Sequence, residues 1–295
     1  MSQSDFPVRA EPLQLLAADG YPLSATLYPA VNPRAHLIVA GATGVPQGFY
    51  RRFAEFAARQ GYSTLTFDYR GIGRSAPERL KGFQMRYLDW AHLDLSEAVE
   101  VLHEPTLPLF CVGHSFGGHA FGLLPNHHKI DGFYTFGTGA GWHGWMPASE
   151  RLRVLAMWNL VGPLVVRAKG YLAWKRLGMG ENLPLGVYRD WKRWCRYPRY
   201  FFDDPELAAG LIERFAKVRT PIVAANATDD LWAMPRSRDA FMAAYSQAPY
   251  QALDLQPGRD GPARIGHMGY FRADAQPLWE QALGWFENTA RVMAA

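Results

Sequence analysis

Cysteine is scarce in this chain of 295 residues, which contains only Cys111 and Cys195. Neither of them lies in a CxxC motif or in a cluster of cysteine and histidine, so we expect neither a disulfide framework nor a structural zinc site. The nine histidines also lack the HExxH spacing of metal-binding helices, and we therefore predict no metal and no other cofactor. This composition fits a protein of a reducing compartment.

Long apolar runs are also absent from the sequence. No stretch approaches the roughly 18 to 20 consecutive apolar residues of a membrane span. Residues 1–7 lack the basic start and the apolar run of a secretory signal. We therefore expect no stable membrane insertion and a cytoplasmic location.

The net charge is small but unevenly distributed. The formal charge of the chain is +4, whereas residues 142–202 contain eleven Arg or Lys against three acidic residues, a local excess of +8. The basic aromatic stretch at residues 188–200 has the composition of an anionic-surface or nucleic-acid patch. However, Trp191 and Trp194 are three residues apart, which fits a helix packed on a core with its arginines solvated. The sequence therefore predicts no nucleic-acid partner, and it leaves the oligomeric state open.

Strand-like and helix-like patterns alternate along most of the chain. Amphipathic stretches such as residues 50–59, 90–103 and 278–292 carry apolar positions at the helical period. Between them lie about eight runs with strand character, which begin with a hairpin around Asp19-Gly20: two within 13–27, then 35–40, 63–69, 107–112, 132–137, 221–227 and 250–255. Such alternation is typical of βαβ units and of a parallel sheet buried on both faces.

One segment interrupts this alternation. Residues 141–219 lie between two predicted strands, contain six of the ten tryptophans and are too long for an ordinary connection. Within the segment, residues 154–166 form an apolar stretch broken by Gly162-Pro163, which we interpret as a helix-turn-helix over an apolar cleft. We therefore predict a core formed by residues 1–140 and 220–295, and a helical cap formed by residues 141–219.

The sequence GHSFGG at residues 113–118 follows directly on a predicted strand and precedes a predicted helix. A G-x-S-x-G pattern in this context is typical of a nucleophile elbow, in which a strained turn lifts the serine hydroxyl clear of the sheet. Glycines at positions 113 and 117 allow neighbouring backbone segments to approach closely. Ser115 is therefore the candidate nucleophile.

A serine hydroxyl needs a base that takes its proton and an acid that orients this base. In the elbow arrangement the acid follows a late strand, and the base lies in a loop after the last strand. The predicted strand at 221–227 leads into Asp229 and Asp230, and His267 lies between small residues in the sequence IGHMG. These residues are the candidate acids and the candidate base.

Four motifs in this order resemble those of the α/β-hydrolase superfamily, which includes serine esterases, lipases and S33 aminopeptidase-like hydrolases. Besides the elbow, the acid and the histidine, residues 68–75 read DYRGIGRS, similar to the D-x-R-G-x-G-x-S turn of many such enzymes. The resemblance covers nearly the whole chain. It implies an α/β-hydrolase fold, a mostly parallel sheet of about eight strands flanked by helices, with an inserted helical cap.

The resemblance also implies the roles of the site residues. Ser115 would be the nucleophile, His267 the general base and then acid, and Asp230 the orienting acid. Asp230 is preferred to Asp229 because its distance from the start of the preceding strand matches the usual spacing of the family, and Asp229 is the alternative acid.

An oxyanion hole should complete the site. One donor is expected to be the backbone N–H of Phe116, and the other the N–H of Ala42, chosen over that of Thr43, in the loop AGATG after the third strand. His114 adjoins the nucleophile, but neighbouring residues on a sharp turn point apart. We therefore expect His114 to pack in the core or to contact the substrate pocket rather than to act as the base.

Together, these residues predict a serine hydrolase that cleaves a carboxylic ester, thioester or lactone through an acyl-enzyme on Ser115. The substrate is expected to be a small, partly apolar molecule, because tryptophans lie in or beside the segments that should line the cleft. The expected substrate-contacting residues are Thr43, His114, Trp142, Trp145, Trp158 and Trp232. An acyltransferase or small-peptide aminopeptidase with the same triad, and a non-catalytic binding module, are the alternatives.

Overall fold

The structure, a computed structural model, describes residues 8–294, apart from the side chains of residues 177 and 294. Residues 1–7, on which the expectation about a secretory signal rests, lie outside the described residues. No helix within the described range combines the length and the apolar composition needed to cross a bilayer.

Eight strands within residues 8–294 form one sheet. They are β1 (Glu11–Leu16), β2 (Pro22–Tyr28), β3 (Ala35–Ala40), β4 (Tyr62–Phe67), β5 (Leu109–His114), β6 (Gly132–Phe136), β7 (Ile222–Ala227) and β8 (Tyr250–Leu255). Their order across the sheet is β1-β2-β4-β3-β5-β6-β7-β8. The pairs β1–β2 and β2–β4 are antiparallel, and the remaining pairs are parallel. The predicted mostly parallel sheet of eight strands is confirmed.

Nine α-helices and two π-helical segments are present in the same range. The helices are α1 (Arg51–Arg59), α2 (Ser96–Leu102), α3 (Phe116–Ala120), α4 (Ala148–Ala156), α5 (Gly162–Lys169), α6 (Leu185–Trp194), α7 (Ala208–Ala216), α8 (Pro235–Met242) and α9 (Gln276–Ala294). The π-helical segments, Trp90–Leu95 and Met157–Val161, directly precede α2 and α5.

The sheet lies between two helical layers, because its central strands are buried on both faces. On β3, Leu37 and Val39 belong to one apolar cluster, to which α1 and α9 contribute, whereas Ile38 belongs to the other. Helices α2, α3, α7 and α8 contribute to this second cluster. Successive side chains of a strand point to opposite faces, so burial on both faces requires the near-continuous apolar runs seen in the sequence.

The strand that carries the elbow is shifted relative to its prediction. β5 begins at Leu109 rather than at residue 107, and it continues to His114. Pro108 has no N–H for the strand ladder, which explains the later start. The strand therefore ends directly before Ser115, where the chain turns.

The predicted helix-turn-helix at residues 154–166 is wrong, because no turn separates its two halves. α4, the π-helical segment and α5 follow one another without interruption, and Gly162 has helical dihedral angles. Pro163 lies directly after the π-helical segment, where the chain changes from π-helical to α-helical hydrogen bonding. We call this continuous path, residues 148–169, the α4–α5 helix.

The α4–α5 helix belongs to a long segment between β6 and β7, residues 137–221, which we call the β6–β7 segment. It also contains α6, α7 and an isolated bridge between Leu172 and Leu183. The ring of Trp191 lies 5.1 Å from those of Trp158 and Trp174, measured between ring centroids. Aromatic packing therefore holds α6 against the α4–α5 helix and against the loop that contains Trp174.

Close packing of α3 on the sheet depends on Gly117. A Cβ atom added at Gly117 would lie 2.0 Å from the carbonyl oxygen of Ala40, which is too close for any side chain. We expect Gly117→Ala to lower the free energy of unfolding by about 1 to 3 kcal/mol, because the helix must move off the strand. Urea denaturation measures this change.

Gly284→Ala is the matched control for Gly117→Ala. Gly284 lies within α9, and an added Cβ would meet no atom within 4 Å. Alanine should stabilise this helix by about 0.5 to 1 kcal/mol. Equal effects of the two substitutions would contradict the close contact between α3 and β3.

Candidate active site

The backbone at Ser115 is strained, and its neighbours hold it in place. Ser115 has φ = +52° and ψ = −108°, a conformation that costs a non-glycine residue about 1 to 3 kcal/mol. Its N–H donates to the carbonyl of Phe136 at 3.0 Å, and its carbonyl accepts from the Thr138 hydroxyl at 3.0 Å. β6 and the chain that follows it therefore fix the turn in which the serine hydroxyl leaves the sheet.

The structure brings Ser115, His267 and Asp230 into one hydrogen-bonded line. His267 Nε2 lies 3.0 Å from Ser115 Oγ, and His267 Nδ1 lies 2.9 Å from Asp230 Oδ2. Residues 115 and 267 are far apart in the chain, but β5, β7 and the loop after β8 end at the same edge of the sheet. This arrangement can pass a proton from the serine hydroxyl to the imidazole while the carboxylate holds the ring.

Asp230 is fully buried and accepts hydrogen bonds from four donors. Besides His267, these are the backbone N–H groups of Trp232 and Ala233, each at 3.0 Å, and the Tyr270 hydroxyl at 3.0 Å. Burial raises the pKa of the Asp230 carboxyl, but the charge of His267 and these hydrogen bonds lower it by more, so the pKa lies below its ordinary value. Asp230 is therefore ionised when His267 needs an anionic partner.

The opposite balance holds at His267. Burial lowers the pKa of the imidazole, whereas the charge of Asp230 and its hydrogen bond to Nδ1 raise it by more, so the pKa lies above its ordinary value. A raised pKa makes the ring a stronger base towards the Ser115 hydroxyl.

Asp229, the alternative acid, lies in a different environment. Its carboxylate accepts hydrogen bonds from the backbone N–H groups of Ile265 at 3.0 Å and Gly266 at 2.9 Å. Gly266 has φ = +53°, a left-handed conformation suited to glycine. Asp229 thus holds the loop that carries His267, and the imidazole itself contacts Asp230.

The backbone donors near Ser115 differ from the prediction in one respect. The N–H of Phe116 starts α3 and has no partner within that helix, which leaves it available to an oxyanion. The N–H of Ala42 instead donates to the Tyr50 hydroxyl at 2.7 Å. Among the described residues, the N–H of Thr43 donates to no protein atom, and Thr43 lines the cavity above Ser115. The geometry thus favours Thr43 over Ala42 as the second donor.

His114 lies beneath the site and does not line the cavity. It is fully buried, with Nε2 at 2.9 Å from the carbonyl oxygen of His267 and Nδ1 at 2.9 Å from the Tyr50 hydroxyl. A carbonyl only accepts, so Nε2 carries the proton, and in a neutral ring Nδ1 accepts the proton of Tyr50. The Tyr50 oxygen then accepts from the N–H of Ala42. We call this chain of hydrogen bonds, from Ala42 through Tyr50 and His114 to His267, the Tyr50–His114 relay.

The Tyr50–His114 relay depends on a neutral imidazole. Burial, assisted by the charge of His267, lowers the pKa of His114 to about 3. The ring therefore stays uncharged and keeps its acceptor for Tyr50 near neutral pH. No motif in the sequence predicted this link between the loop after β3 and the loop that carries His267.

A cavity of about 320 Å³ opens above Ser115 and His267. Its other principal walls are Thr43, Val45, Trp174, Met179, Trp191, Trp232 and Met268. The surface is mainly apolar, and the β6–β7 segment supplies three of these walls, Trp174, Met179 and Trp191. Such a cavity suits a small apolar group attached to a reactive carbonyl.

Besides His114, three further predicted substrate contacts do not line this cavity. Trp142 and Trp145 pack on each other, with ring centroids 5.6 Å apart, and the indole N–H of Trp145 donates to the Pro198 carbonyl. Trp158 is buried behind Trp191. Their positions depend on how the helices pack, which sequence spacing does not specify.

Two tryptophans that do line the cavity, Trp174 and Trp191, were not predicted as contacts. The sequence GMG at 178–180 could have drawn attention to this region. Both of its glycines have positive φ, and all three residues line the cavity beside Trp174.

Comparisons with known proteins agree with this geometry at the level of the fold. Residues 31–171, just under half of the chain, match the family model Hydrolase_4, described as serine aminopeptidase, S33. A sequence comparison with curated proteins finds no match.

Solved structures resemble the chain over nearly its whole length. A soluble variant of monoglyceride lipase from Saccharomyces cerevisiae has a TM-score of 0.66 at 17% identity, covering 98% of this chain and 97% of its own. An esterase from Pyrococcus furiosus has a TM-score of 0.62 at 12% identity, covering 96% and 91%. The thioesterase domain from the curacin biosynthetic pathway has a TM-score of 0.59 at 14% identity, covering 93% and 99%. The predicted fold and resemblance are confirmed, and the chain has the α/β-hydrolase fold that these structures share.

Proposed function

We propose that the protein is a serine hydrolase that cleaves a carboxylic ester, thioester or lactone of a small, partly apolar substrate. The observation that carries this proposal is the hydrogen-bonded line of Ser115, His267 and Asp230 on the floor of an apolar cavity. A non-catalytic binding module would not need a strained serine, a raised imidazole pKa and a buried carboxylate at one point.

In the proposed reaction, Ser115 Oγ attacks the substrate carbonyl while His267 Nε2 takes the hydroxyl proton. The carbonyl oxygen becomes an oxyanion, to which Phe116 and Thr43 donate their backbone N–H groups. Each such donor contributes about 2.7 to 4 kcal/mol to transition-state stabilisation in serine hydrolases. The C–O or C–S bond of the leaving group then breaks, and the imidazolium protonates the leaving group.

The acyl-enzyme is then hydrolysed. His267 takes a proton from water, the hydroxide attacks the acyl carbonyl, and the imidazolium returns its proton to Ser115 as the ester bond to the enzyme breaks. Asp230 stays ionised throughout and stabilises the imidazolium of both steps. The β6–β7 segment is proposed to act as the cap that excludes bulk water through Trp174 and Trp191.

The cavity favours an ester over a peptide with a free amino terminus. An aminopeptidase needs an anionic group near the substrate ammonium, and none of the described residues that line the cavity is acidic. An ester with an uncharged acyl group needs no anionic group in the cavity.

Labelling with a fluorophosphonate probe tests the proposal directly. We expect the purified protein to form a covalent adduct that mass spectrometry maps to Ser115, because only an activated serine reacts quickly with this probe. Ser115→Ala and His267→Ala should both abolish labelling. A panel of p-nitrophenyl esters beside the corresponding anilides then measures the preference for esters.

The control for this labelling is Ser237→Ala, since Ser237 is buried and hydrogen-bonded away from the site. Labelling of the Ser115→Ala variant, or a folded wild type that neither reacts with the probe nor cleaves any ester, would reject the proposed mechanism.

The pH dependence of kcat/KM should follow the raised pKa of His267. The base must be neutral, so activity falls as the pH drops through this pKa, and the acid limb should lie above the ordinary imidazole value of about 6.5. Asp230→Asn removes the charge that raises the pKa and leaves the effect of burial, so the limb should move to lower pH. We also expect kcat to fall by about 10⁴, as for the equivalent change in other triads.

Asp229→Asn is the matched control for this pH profile. It weakens the support of the His267 loop, so the rate should fall while the acid limb keeps its position. A limb that moves in Asp229→Asn but not in Asp230→Asn would reverse the assignment of the two acids.

The Tyr50–His114 relay should act on the rate of the chemical step. Tyr50→Phe leaves the N–H of Ala42 and Nδ1 of His114 without partners, which loosens the loops that carry Thr43 and His267. We expect kcat to fall by up to about 100-fold with little change in KM, because misplacement of catalytic groups by about 1 Å has effects of this size. Steady-state kinetics on the best ester of the panel measures both parameters.

Tyr134→Phe controls for the loss of a buried hydroxyl. Tyr134 is buried beside β7, and its hydroxyl has no hydrogen-bond partner among the described residues. Its kcat should match that of the wild type. A similar kcat in both phenylalanine variants would show that the relay does not position the site.

A further inference from the structure

The α4–α5 helix exposes an apolar stripe to solvent. Leu152, Leu160 and Leu164 are 69%, 62% and 61% exposed, and Ala156 and Ala168 are also exposed. These five residues are spaced four apart along the helix. A row of leucines that face solvent is unusual on a protein surface. Contiguous exposed apolar patches of this kind mark interaction sites.

The π-helical segment keeps this stripe on one side of the helix. In a regular α-helix four residues advance by about 400°, so a stripe with this spacing drifts by about 40° per step. A π-helical turn contains more than four residues, so the same four-residue spacing advances by less than 360° and the stripe drifts in the opposite direction. Because Met157–Val161 is π-helical, the drift on either side of it is partly cancelled.

A cationic groove runs beside the stripe, between α5 and α6. Its volume is about 600 Å³, and its basic walls are Arg167, Arg189, Lys192, Arg193 and Arg196. Arg193 binds Asp204 and Glu206. The other four form no salt bridge with any carboxylate of residues 8–294. Burial, followed by the charge of Arg196, lowers the pKa of Lys192. Four of the five cations of the groove are therefore not neutralised by a carboxylate of the described residues.

We propose that this face, formed by the apolar stripe and the cationic groove, docks on an anionic phospholipid bilayer. Leu164 and Arg167 are neighbours on the helix surface, so leucines and cations reach the same plane. Helices that lie in a membrane interface carry apolar residues on one face and Lys or Arg on the other. The headgroup phosphates would lie in the groove, and the leucines would reach the acyl boundary.

The charge and chemistry of this face disfavour other occupants. A second copy of the chain in a symmetric dimer would bring the same cations against one another. Single-stranded nucleic acid binds by stacking on exposed aromatic rings. Trp194 and Tyr188 on α6 are buried, and the exposed apolar residues of the stripe are aliphatic.

The docking face is one layer of side chains away from the cavity. Trp158, on the inner side of the α4–α5 helix, packs on Trp191, which lines the cavity above Ser115. Neither the apolar stripe nor the cationic groove involves Ser115, so docking does not require Ser115 to be a nucleophile.

Flotation of the full-length protein with lipid vesicles tests the docking. We expect binding to vesicles of phosphatidylcholine and phosphatidylglycerol in a two-to-one mixture, no binding to phosphatidylcholine alone, and weaker binding as salt is raised. The triple variant R189Q/K192Q/R196Q should lower the partition coefficient on the order of 100-fold, since each cation near an anionic surface contributes to binding. L160Q/L164Q should lower it on the order of tenfold.

Two matched variants control for charge and apolar surface. R9Q/R52Q/R59Q removes three exposed cations that form no salt bridge within the described residues, and L16Q/V31Q removes two exposed apolar side chains that belong neither to the stripe nor to the groove. Both should bind vesicles as the wild type does.

Several outcomes would overturn the proposal. These are equal binding to neutral vesicles, full binding by the R189Q/K192Q/R196Q variant, or no binding by the wild type. A dimer in sedimentation that L160Q/L164Q dissolves, without vesicle binding, would assign the stripe to a second copy. Binding of labelled DNA that only R189Q/K192Q/R196Q loses, again without vesicle binding, would assign the groove to nucleic acid.

Discussion

The buried carboxylate of Asp230 sets conditions that the surrounding chain has to meet. An unpaired ion inside a protein costs several kcal/mol, so its lone pairs must be satisfied from every side. The carboxylate accepts hydrogen bonds from two backbone N–H groups after β7, from the hydroxyl of Tyr270 and from the imidazole of His267. Tyr270 is itself tied down, because its hydroxyl accepts from the N–H of Ala227 and its carbonyl accepts from Trp279. The end of β7, the His267 loop and α9 are therefore held in one arrangement by a single charge.

A second constraint joins the opposite side of the site. His114 must be neutral to donate to one loop and accept from Tyr50, which in turn holds the other loop. If His114 were charged, both ring nitrogens would donate, and a cation would lie close to His267. Burial prevents this, since it lowers the pKa of His114 to about 3. Burial lowers the pKa of both imidazoles, but at His267 the charge and the hydrogen bond of Asp230 raise the pKa by more.

The sequence was informative where the signal is local. Strand and helix periodicity and the glycines around Ser115 each lie within a few residues. Together with the order of four short motifs along the chain, they allowed the fold and the meeting of Ser115, His267 and Asp230 to be predicted. The preference for Thr43 over Ala42 as the proposed second backbone donor could not be predicted, because it depends on Tyr50, whose hydroxyl accepts from the N–H of Ala42. The walls of the cavity depend on tertiary packing even more strongly. Trp142 was expected there and packs elsewhere, whereas Trp191 was read only as a core residue and lies in the wall.

The surface of α6 follows from the same geometry that places its tryptophans. A helix with Trp191 and Trp194 on its inner side must present Arg189, Lys192 and Arg196 on the other, because residues three and four apart share a face. Five of the eleven basic residues within residues 142–202 therefore line one groove beside α6. Few acidic side chains are nearby to neutralise this charge, and two of them, Asp204 and Glu206, already bind Arg193. One helix thus contributes an apolar wall to the cavity and a cationic wall to the outer groove. A partner that binds in this groove would therefore contact α6, the helix that also carries Trp191 of the cavity.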